Sequence, residues 1–178
     1  MRSEGSRANT GVVPRGAAIA IIACVLGASA LIGRRNAPSR SNPEIRSWYR
    51  RLRKPDYTPP APIFGMVWPT LETGLAVGGY RLMREPASPA RNVAIGLWLV
   101  NGAMIGGWTE LFFHRRALAA SAAVSGAMVA TTAGYVAAAS RVDRVAAGAG
   151  VPLLAWLGFA TLLAERVWER NGTERSAR

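Results

Sequence analysis

Five long stretches of the chain are apolar and almost free of charge, and short basic segments separate them. They cover residues 16–33, 63–83, 92–113, 117–140 and 145–168. Each is about as long as the roughly 20 residues that an α-helix needs to cross a bilayer. Inside lipid every backbone group must be satisfied within its own segment, so these stretches are expected to be helices. The sequence therefore predicts an all-α protein, an integral membrane bundle of five transmembrane helices.

The charge of the chain fits such a bundle better than a soluble domain. The 178 residues are 50% hydrophobic, yet the formal net charge is +12. Basic residues beside apolar runs set membrane topology and contact anionic lipids, and no nucleic-acid-binding motif accompanies them. The single cysteine, Cys24, excludes an internal disulfide and a multi-cysteine metal site. We expect the lipid bilayer as a partner, and no nucleic acid.

One membrane domain is expected over residues 16–171, between disordered tails at residues 1–15 and 172–178. The first apolar run is also compatible with a signal peptide, because arginines precede it and Ala28-Ser29-Ala30 resembles a cleavage site. It is long for the apolar region of a signal peptide. A retained first helix is therefore favoured over a cleaved one.

A proline-rich segment between the first two predicted helices is the most unusual part of the chain. Prolines 55, 59, 60 and 62 follow a basic, aromatic stretch that starts at Trp48. Proline removes a backbone donor and biases the preceding residue to extended geometry, so no regular helix or strand is expected from Trp48 to Trp68. Interleaved aromatic and basic side chains suit a membrane–water interface. Residues 34–62 are predicted to form a structured lid over one end of the bundle. A plain connector is the alternative.

Four motifs occur in order along the predicted helices and the lid. They are Trp48-Tyr49 with Leu52 and Lys54-Pro55-x-aromatic-x-Pro59-Pro60; Phe64-Gly65 with Val67-Trp68; Trp108 with Leu111-Phe112-Phe113; and Val151-Pro152 with Trp156, Phe159-Ala160-Thr161, Trp168 and Asn171. With these motifs the chain resembles the TspO/translocator protein family, also called tryptophan-rich sensory proteins or peripheral benzodiazepine receptor-like proteins. The resemblance implies a five-helix bundle, often dimeric, with an internal pocket that the first long loop closes.

The resemblance also implies a function. It points to a membrane receptor or transport-type protein that binds tetrapyrroles (porphyrin or haem) or similar flat apolar ligands, with no cofactor required. Flat rings stack on aromatic side chains, and ligand carboxylates would meet the basic cluster Arg50, Arg51, Arg53 and Lys54. Two alternatives stay open. One is an enzyme that degrades porphyrin photo-oxidatively, and the other is a membrane scaffold or regulator with a vestigial pocket.

The predicted binding residues come mostly from the resemblance. It places Tyr49, Trp68 and Trp156 on the pocket wall, and Tyr57 stands where the family often has a loop tryptophan implicated in porphyrin handling. Phe159 and Ala160 follow Trp156 on the same helix face. The full predicted set is Tyr49, Tyr57, Trp68, Glu72, Asn101, Ile105, Trp108, Trp156, Phe159 and Ala160. No catalytic residue and no metal ligand is predicted.

Two members of that set depart from the family pattern. Ile105 stands three residues before Trp108, where the family usually has asparagine, and Asn101 lies one turn earlier. Glu72 stands where the family tends to have tyrosine. A carboxyl group at membrane depth usually faces a bundle interior or water. Glu72 is therefore expected to face the pocket or a proton path, and the alternative is a pairing with a neighbouring helix.

Basic residues are unevenly distributed between the two ends of the predicted bundle. About fourteen of the 22 lie in the lid, the 115–116 turn and the C-terminal tail, which share one side. Because basic loops stay in the cytoplasm, the lid and the C-terminus are expected there, with the N-terminus outside. The expected location is a bacterial cell membrane.

Cysteine labelling in intact cells tests this orientation. In a Cys24→Ser background, a cysteine introduced at Ser88 should react with a membrane-impermeant thiol reagent, because the turn at Ser88 is predicted to face outward. A cysteine at Asn42 should not react until the cells are lysed. The opposite labelling pattern would overturn the orientation.

Overall fold

The computed structural model of the protein describes residues 11–172. Over that range it contains six α-helices, one π-helical turn and no strand, so the all-α prediction is confirmed. The helices are α1 (Arg15–Asn36), α2 (Pro43–Arg51), α3 (Ala61–Arg84), α4 (Pro89–Thr109), α5 (Leu118–Ala139) and α6 (Arg144–Gly172), and the π turn is Glu110–His114. Most of the two predicted tails lies outside the described residues.

The five long helices close into a ring around one hydrophobic core. α1 packs against α3 and α4, α3 packs against α6, and α5 packs against both α4 and α6. The cyclic order is therefore α1–α3–α6–α5–α4. Among the described helices, α1, α5 and α6 are long and apolar enough to cross a membrane. α3 and α4 lie where the second and third spans were predicted, but glycine, tryptophan and polar residues reduce their hydropathy.

α1 is packed into the bundle through small residues on α4. A Cβ at Gly102 would lie 2.6 Å from the Val25 side chain, and one at Gly106 would lie 3.1 Å from the Cα atom of Ser29. Glycines four residues apart let two helices approach closely in lipid. The backbones of α1 and α4 can therefore meet at this contact, which buries Ser29.

Tyr135 of α5 joins three helices at the centre of the bundle. Its side chain is fully buried, and its hydroxyl donates to the carbonyl oxygen of Ala146 on α6 at 3.0 Å. Glycines make room for the ring, since a Cβ at Gly150 would lie 2.5 Å from it and a Cβ at Gly78 of α3 would overlap the hydroxyl. The bond to Ala146 removes the cost of burying a phenolic hydroxyl without a partner.

Charged side chains satisfy the backbone at the end of the bundle opposite α2. Arg91 is buried and donates to the last carbonyls of α3, to Leu82 at 3.0 Å and Met83 at 3.2 Å. Asp143 accepts from Arg81 (Nη2 to Oδ2, 2.6 Å) and from the Ala146 amide at 2.7 Å, which caps the start of α6. The hydrogen bonds from Arg81 hold the pKa of Asp143 below its ordinary value.

The prediction of no regular helix from Trp48 to Trp68 is wrong at both ends of that segment. α2 includes Trp48 and Tyr49, and α3 begins at Ala61, so within that segment only residues 52–60 are irregular. Residues 37–42, between α1 and α2, are irregular as well. The physical reason is the position of the prolines. Pro43 and Pro62 lie in the first turns of α2 and α3, where a backbone N–H has no helical partner to lose. Segment 52–60 is called the lid from here on.

Paired alanine substitutions test the packing around Tyr135. Gly78→Ala should lower the free energy of unfolding by roughly 1–3 kcal/mol, because the new methyl group overlaps the Tyr135 hydroxyl. Gly96→Ala on α4 is the matched control. No atom lies within 4 Å of a Cβ there, so alanine should be neutral or stabilising by up to about 1 kcal/mol. Thermal unfolding in detergent measures both, and equal effects would contradict the packing described here.

Candidate ligand site under the lid

Nine aromatic side chains gather at the end of the bundle that carries the lid. One group contains Trp48, Tyr49, Trp108, Phe112 and Phe113, and the other contains Tyr57, Phe64, Trp156 and Phe159. Members of both groups pack against the same buried residues, Phe112, Leu163 and Val167. The nine side chains together are called the aromatic cluster.

The π turn orients the first group. Trp108 stacks on Phe112 with ring centroids 4.8 Å apart and planes 14° apart, and Phe113 meets it edge-on at 6.1 Å. Phe113 lies five residues after Trp108, a spacing that points away in an α-helix but stays on one face where the turn is wider. The Trp108 indole N–H donates to Ser121 O at 2.9 Å and Ser125 Oγ at 2.8 Å. The position of Trp108 is therefore fixed by α5.

Tyr49 brings a cation to the edge of the cluster. Its ring lies 5.5 Å from that of Phe113, and the Lys54 ammonium lies 4.4 Å above the ring centroid. Burial raises the pKa of the Tyr49 phenol and lowers the pKa of the Lys54 ammonium. An ammonium that has lost part of its hydration interacts more strongly with a ring face or a carboxylate. Lys54 is thus placed to meet an anionic group at the edge of the cluster.

The second group surrounds an indole without a hydrogen-bond partner. The Trp156 ring lies 5.7 Å from Phe64 and 5.5 Å from Phe159, and Tyr57 meets Phe159 at 6.4 Å. The Trp156 Nε1 atom is buried, and no acceptor lies within reach of it among residues 11–172. Leaving a buried donor unpaired costs about 1–3 kcal/mol. A ligand with an acceptor atom at this position would remove that cost.

The end of α6 holds the lid over these rings. Asn171 and Arg53 exchange two hydrogen bonds, from Arg53 N to Oδ1 and from Nδ2 to Arg53 O, both 3.0 Å long. Arg170 donates to the carbonyl oxygen of Lys54 at 2.9 Å. These side chains pair with the backbone of an irregular segment that has no helical partner of its own. The lid is therefore attached to α6 through Asn171 and Arg170.

The structure brings five of the ten predicted site residues into the aromatic cluster, namely Tyr49, Tyr57, Trp108, Trp156 and Phe159. Trp68 and Ile105 pack in the main core. Ala160 and Glu72 are half-buried, on α6 and α3 respectively. Ligand contact by any of the ten stays a prediction.

Asn101 has a structural role in the bundle. Its side-chain oxygen accepts from Thr131 at 3.0 Å and Thr132 at 2.8 Å, both on α5, and its amide donates to Leu97 O at 2.9 Å. These bonds use most of its hydrogen-bonding capacity to hold α4 against α5.

Five further residues of the site were missed by the sequence reasoning. They are Trp48, Phe64, Phe112, Phe113 and Asn171. All five belong to the four motifs, so the motifs carried a signal for them. Neither the π turn nor the bond across 118 positions between Arg53 and Asn171 has a local sequence signature.

Sequence comparisons match most of the chain to known proteins. Residues 19–169 match the sequence profile of the TspO/MBR family. The chain is 35% identical to the human translocator protein over 137 residues, which cover 74% of this chain and 79% of that protein. The translocator proteins of Bos taurus and Sus scrofa are 34% and 32% identical, with the same shares of each chain covered.

Replacing Asn171 tests the attachment of the lid. Asn171→Ala removes both bonds to the Arg53 backbone, so amide hydrogen exchange in residues 52–60 should accelerate by about tenfold. Exchange mass spectrometry on the peptide that contains the lid measures this. Glu169→Ala is the control, since among residues 11–172 the Glu169 carboxylate forms an ion pair only with Arg166 of the same helix. Equal exchange in the two variants would show that Asn171 does not hold the lid.

Proposed function

The chain belongs to the TspO/MBR family, and from that premise we propose that it is a membrane receptor or transport-type protein that binds tetrapyrroles, porphyrin or haem, or similar flat apolar molecules. The proposed site is the aromatic cluster beneath the lid. The observation that carries the proposal is the buried, unpartnered Trp156 Nε1 atom among rings that a flat ligand can stack on. A porphyrin offers the faces for stacking and acceptor atoms for the indole N–H.

Five membrane spans are part of this proposal. α3 lies between α1 and α6 in the ring, and α4 lies between α1 and α5. The helices on either side of them, α1, α5 and α6, have the length and composition of membrane spans. Helices of 24 and 21 residues packed between such neighbours would lie at the same depth, and at about 1.5 Å per residue they would be long enough to cross. With five spans, the uneven distribution of basic residues described above would place the lid and the C-terminus in the cytoplasm.

Ligand uptake on this proposal requires the rings to separate. The second group meets mostly edge-to-face, with interplanar angles of 62° and 74° for the Tyr57–Phe159 and Phe64–Trp156 pairs. A flat ligand would replace those contacts by offset stacking, in which each ring buries more apolar area against its partner. Tyr57, 53% exposed on the lid, would move first.

Each polar group near the cluster has a defined part in binding. The Trp156 N–H would donate to an acceptor at the edge of the ligand, such as a carboxylate oxygen, because an indole N–H lies in the plane of its ring. Lys54, at the edge of the cluster beside Tyr49, would pair with a ligand carboxylate. The bonds from Asn171 to Arg53 would break as the lid opens and re-form over the bound molecule. Glu72, one turn beyond Trp68 on α3, is proposed to limit how deeply an anionic group can enter.

Titration with protoporphyrin, in the dark and under illumination, separates this function from the two alternatives. A binding protein holds protoporphyrin unchanged in the dark and under illumination. A photo-oxidative enzyme would bleach it only in the light, with aromatic residues as redox partners. A scaffold with a vestigial pocket would not bind the porphyrin at all.

Two substitutions at Trp156 test the proposed contact. Trp156→Phe keeps an aromatic ring but removes the N–H donor, so the Kd for protoporphyrin should rise about tenfold. Trp156→Ala also removes the stacking surface and should cost on the order of 1–3 kcal/mol, up to about two decades in affinity. The porphyrin absorption band follows binding without relying on tryptophan fluorescence.

Trp168→Phe is the matched control. Trp168 lies on the same helix but is 43% exposed, outside the aromatic cluster, so its replacement should leave the Kd unchanged. If the Trp156 and Trp168 variants bind protoporphyrin equally well, the ligand does not occupy the aromatic cluster.

A further inference from the structure

A depression of about 430 Å³ opens at the lid end of the bundle, between α2 and the turn that leads into α5. Four residues of α2 line it, and Arg116 lines it from the turn. They are Pro43, Glu44, Ser47, Arg51 and Arg116. None of these side chains belongs to the aromatic cluster. Arg51 was expected in the basic cluster that meets ligand carboxylates, and the other four were not predicted to bind a ligand.

Arg116 is held at the depression by its backbone and by an aromatic ring. Its φ angle of 53° places it in the left-handed region, where a non-glycine residue is uncommon. Its carbonyl accepts from Leu118 N at 3.1 Å, and the next amide, Ala117 N, bonds to Leu111 O at 3.0 Å. The guanidinium carbon lies 5.5 Å from the centre of the Trp48 ring. Backbone strain of this kind is found mostly where a side chain has a function.

The charges that face the depression are unbalanced. Arg51 Nη1 donates to Ser47 Oγ at 2.8 Å, four residues earlier on α2. Among residues 11–172, neither Arg51 nor Arg116 forms an ion pair with a carboxylate. Glu44 lines the same depression and is paired with neither arginine. Two guanidinium groups of like charge around one space are stabilised when an anion lies between them.

We propose that this depression binds the phosphate group of a phosphate monoester or diester, with Arg51 and Arg116 as its two cationic donors. Guanidinium groups recognise phosphate oxygens through paired, charge-assisted hydrogen bonds. Ser47 fixes the orientation of Arg51, and Trp48 fixes that of Arg116. The phosphate comes from one of two sources, the headgroup of an anionic phospholipid or a soluble phosphate compound. Glu44 opposes binding, because its carboxylate faces the same space.

Native mass spectrometry of the detergent-solubilised full chain tests the site with two probes. The lipid probe is dioleoyl phosphatidylglycerol, and dioleoylglycerol, which lacks the phosphate, is its control. The soluble probe is inorganic phosphate, and its binding is measured by calorimetry in place of mass spectrometry. Arg116→Gln and Arg51→Gln should each weaken binding of the effective probe about tenfold, as expected for one charge-assisted hydrogen bond. Glu44→Gln should strengthen it severalfold, because a repulsive charge is removed.

Arg46→Gln is the matched control, since Arg46 is an exposed arginine of α2 that does not line the depression. It should bind like the unsubstituted protein. If the Arg51 and Arg116 variants bind phosphatidylglycerol more weakly and inorganic phosphate does not bind, the ligand is a lipid headgroup. If these variants bind inorganic phosphate more weakly, the ligand is a soluble phosphate compound.

The proposal is overturned if the Arg51 and Arg116 variants match Arg46→Gln with both probes. It is also overturned if dioleoylglycerol binds as well as phosphatidylglycerol and inorganic phosphate does not bind. If Arg116→Gln disturbs its strained turn and the protein does not fold, Arg51→Gln and Glu44→Gln decide, because both positions are exposed on α2.

Discussion

Backbone N–H and C=O groups have no partner in hydrocarbon, and this constraint shapes the whole structure. Five long helices satisfy their own backbones. Irregular backbone occurs between them, and there side chains supply the missing partners. Arg91 bonds to the last carbonyls of α3, and Asn171 bonds to the lid at Arg53. The lid can therefore be irregular, because side chains of α6 provide hydrogen-bond partners for its backbone.

The same constraint applies to polar side-chain atoms inside the bundle, which also need hydrogen-bond partners. Trp98 donates to Leu75 O at 2.8 Å, Tyr135 donates to Ala146, and Asn101 accepts from two threonines. Within residues 11–172, the buried side-chain atoms without a partner are Ser29 Oγ and Trp156 Nε1. Ser29 lies in a close helix–helix contact with Gly106, which leaves little room for a ligand. Trp156 lies among aromatic rings beside the lid, and this difference singles it out as the proposed binding donor.

Much of the fold could be predicted from the sequence, because long apolar runs indicate where helices lie and basic segments indicate where they end. The helices differ from prediction at the start of α3, where Pro62 lies in the first turn of a helix and does not prevent one. The motifs also predicted about half of the aromatic cluster. The remainder depends on features without a local pattern. The π turn brings both Phe112 and Phe113 into contact with Trp108, and Asn171 bonds to Arg53 across 118 positions of the chain. Asn101, predicted for the pocket, accepts a hydrogen bond from Thr132 of α5, a contact that has no local sequence pattern.

The most direct test of the central claim is to observe the indole protons during ligand binding. In protein labelled with ¹⁵N-tryptophan, each of the 6 tryptophans gives one indole signal in an NMR spectrum. On adding protoporphyrin in the dark, the Trp156 signal should shift, because its N–H gains an acceptor and lies close to the ring current of the porphyrin. The Trp98 signal should stay in place, because that indole is already bonded to Leu75 O. An unchanged Trp156 signal at saturating porphyrin would contradict the proposed site.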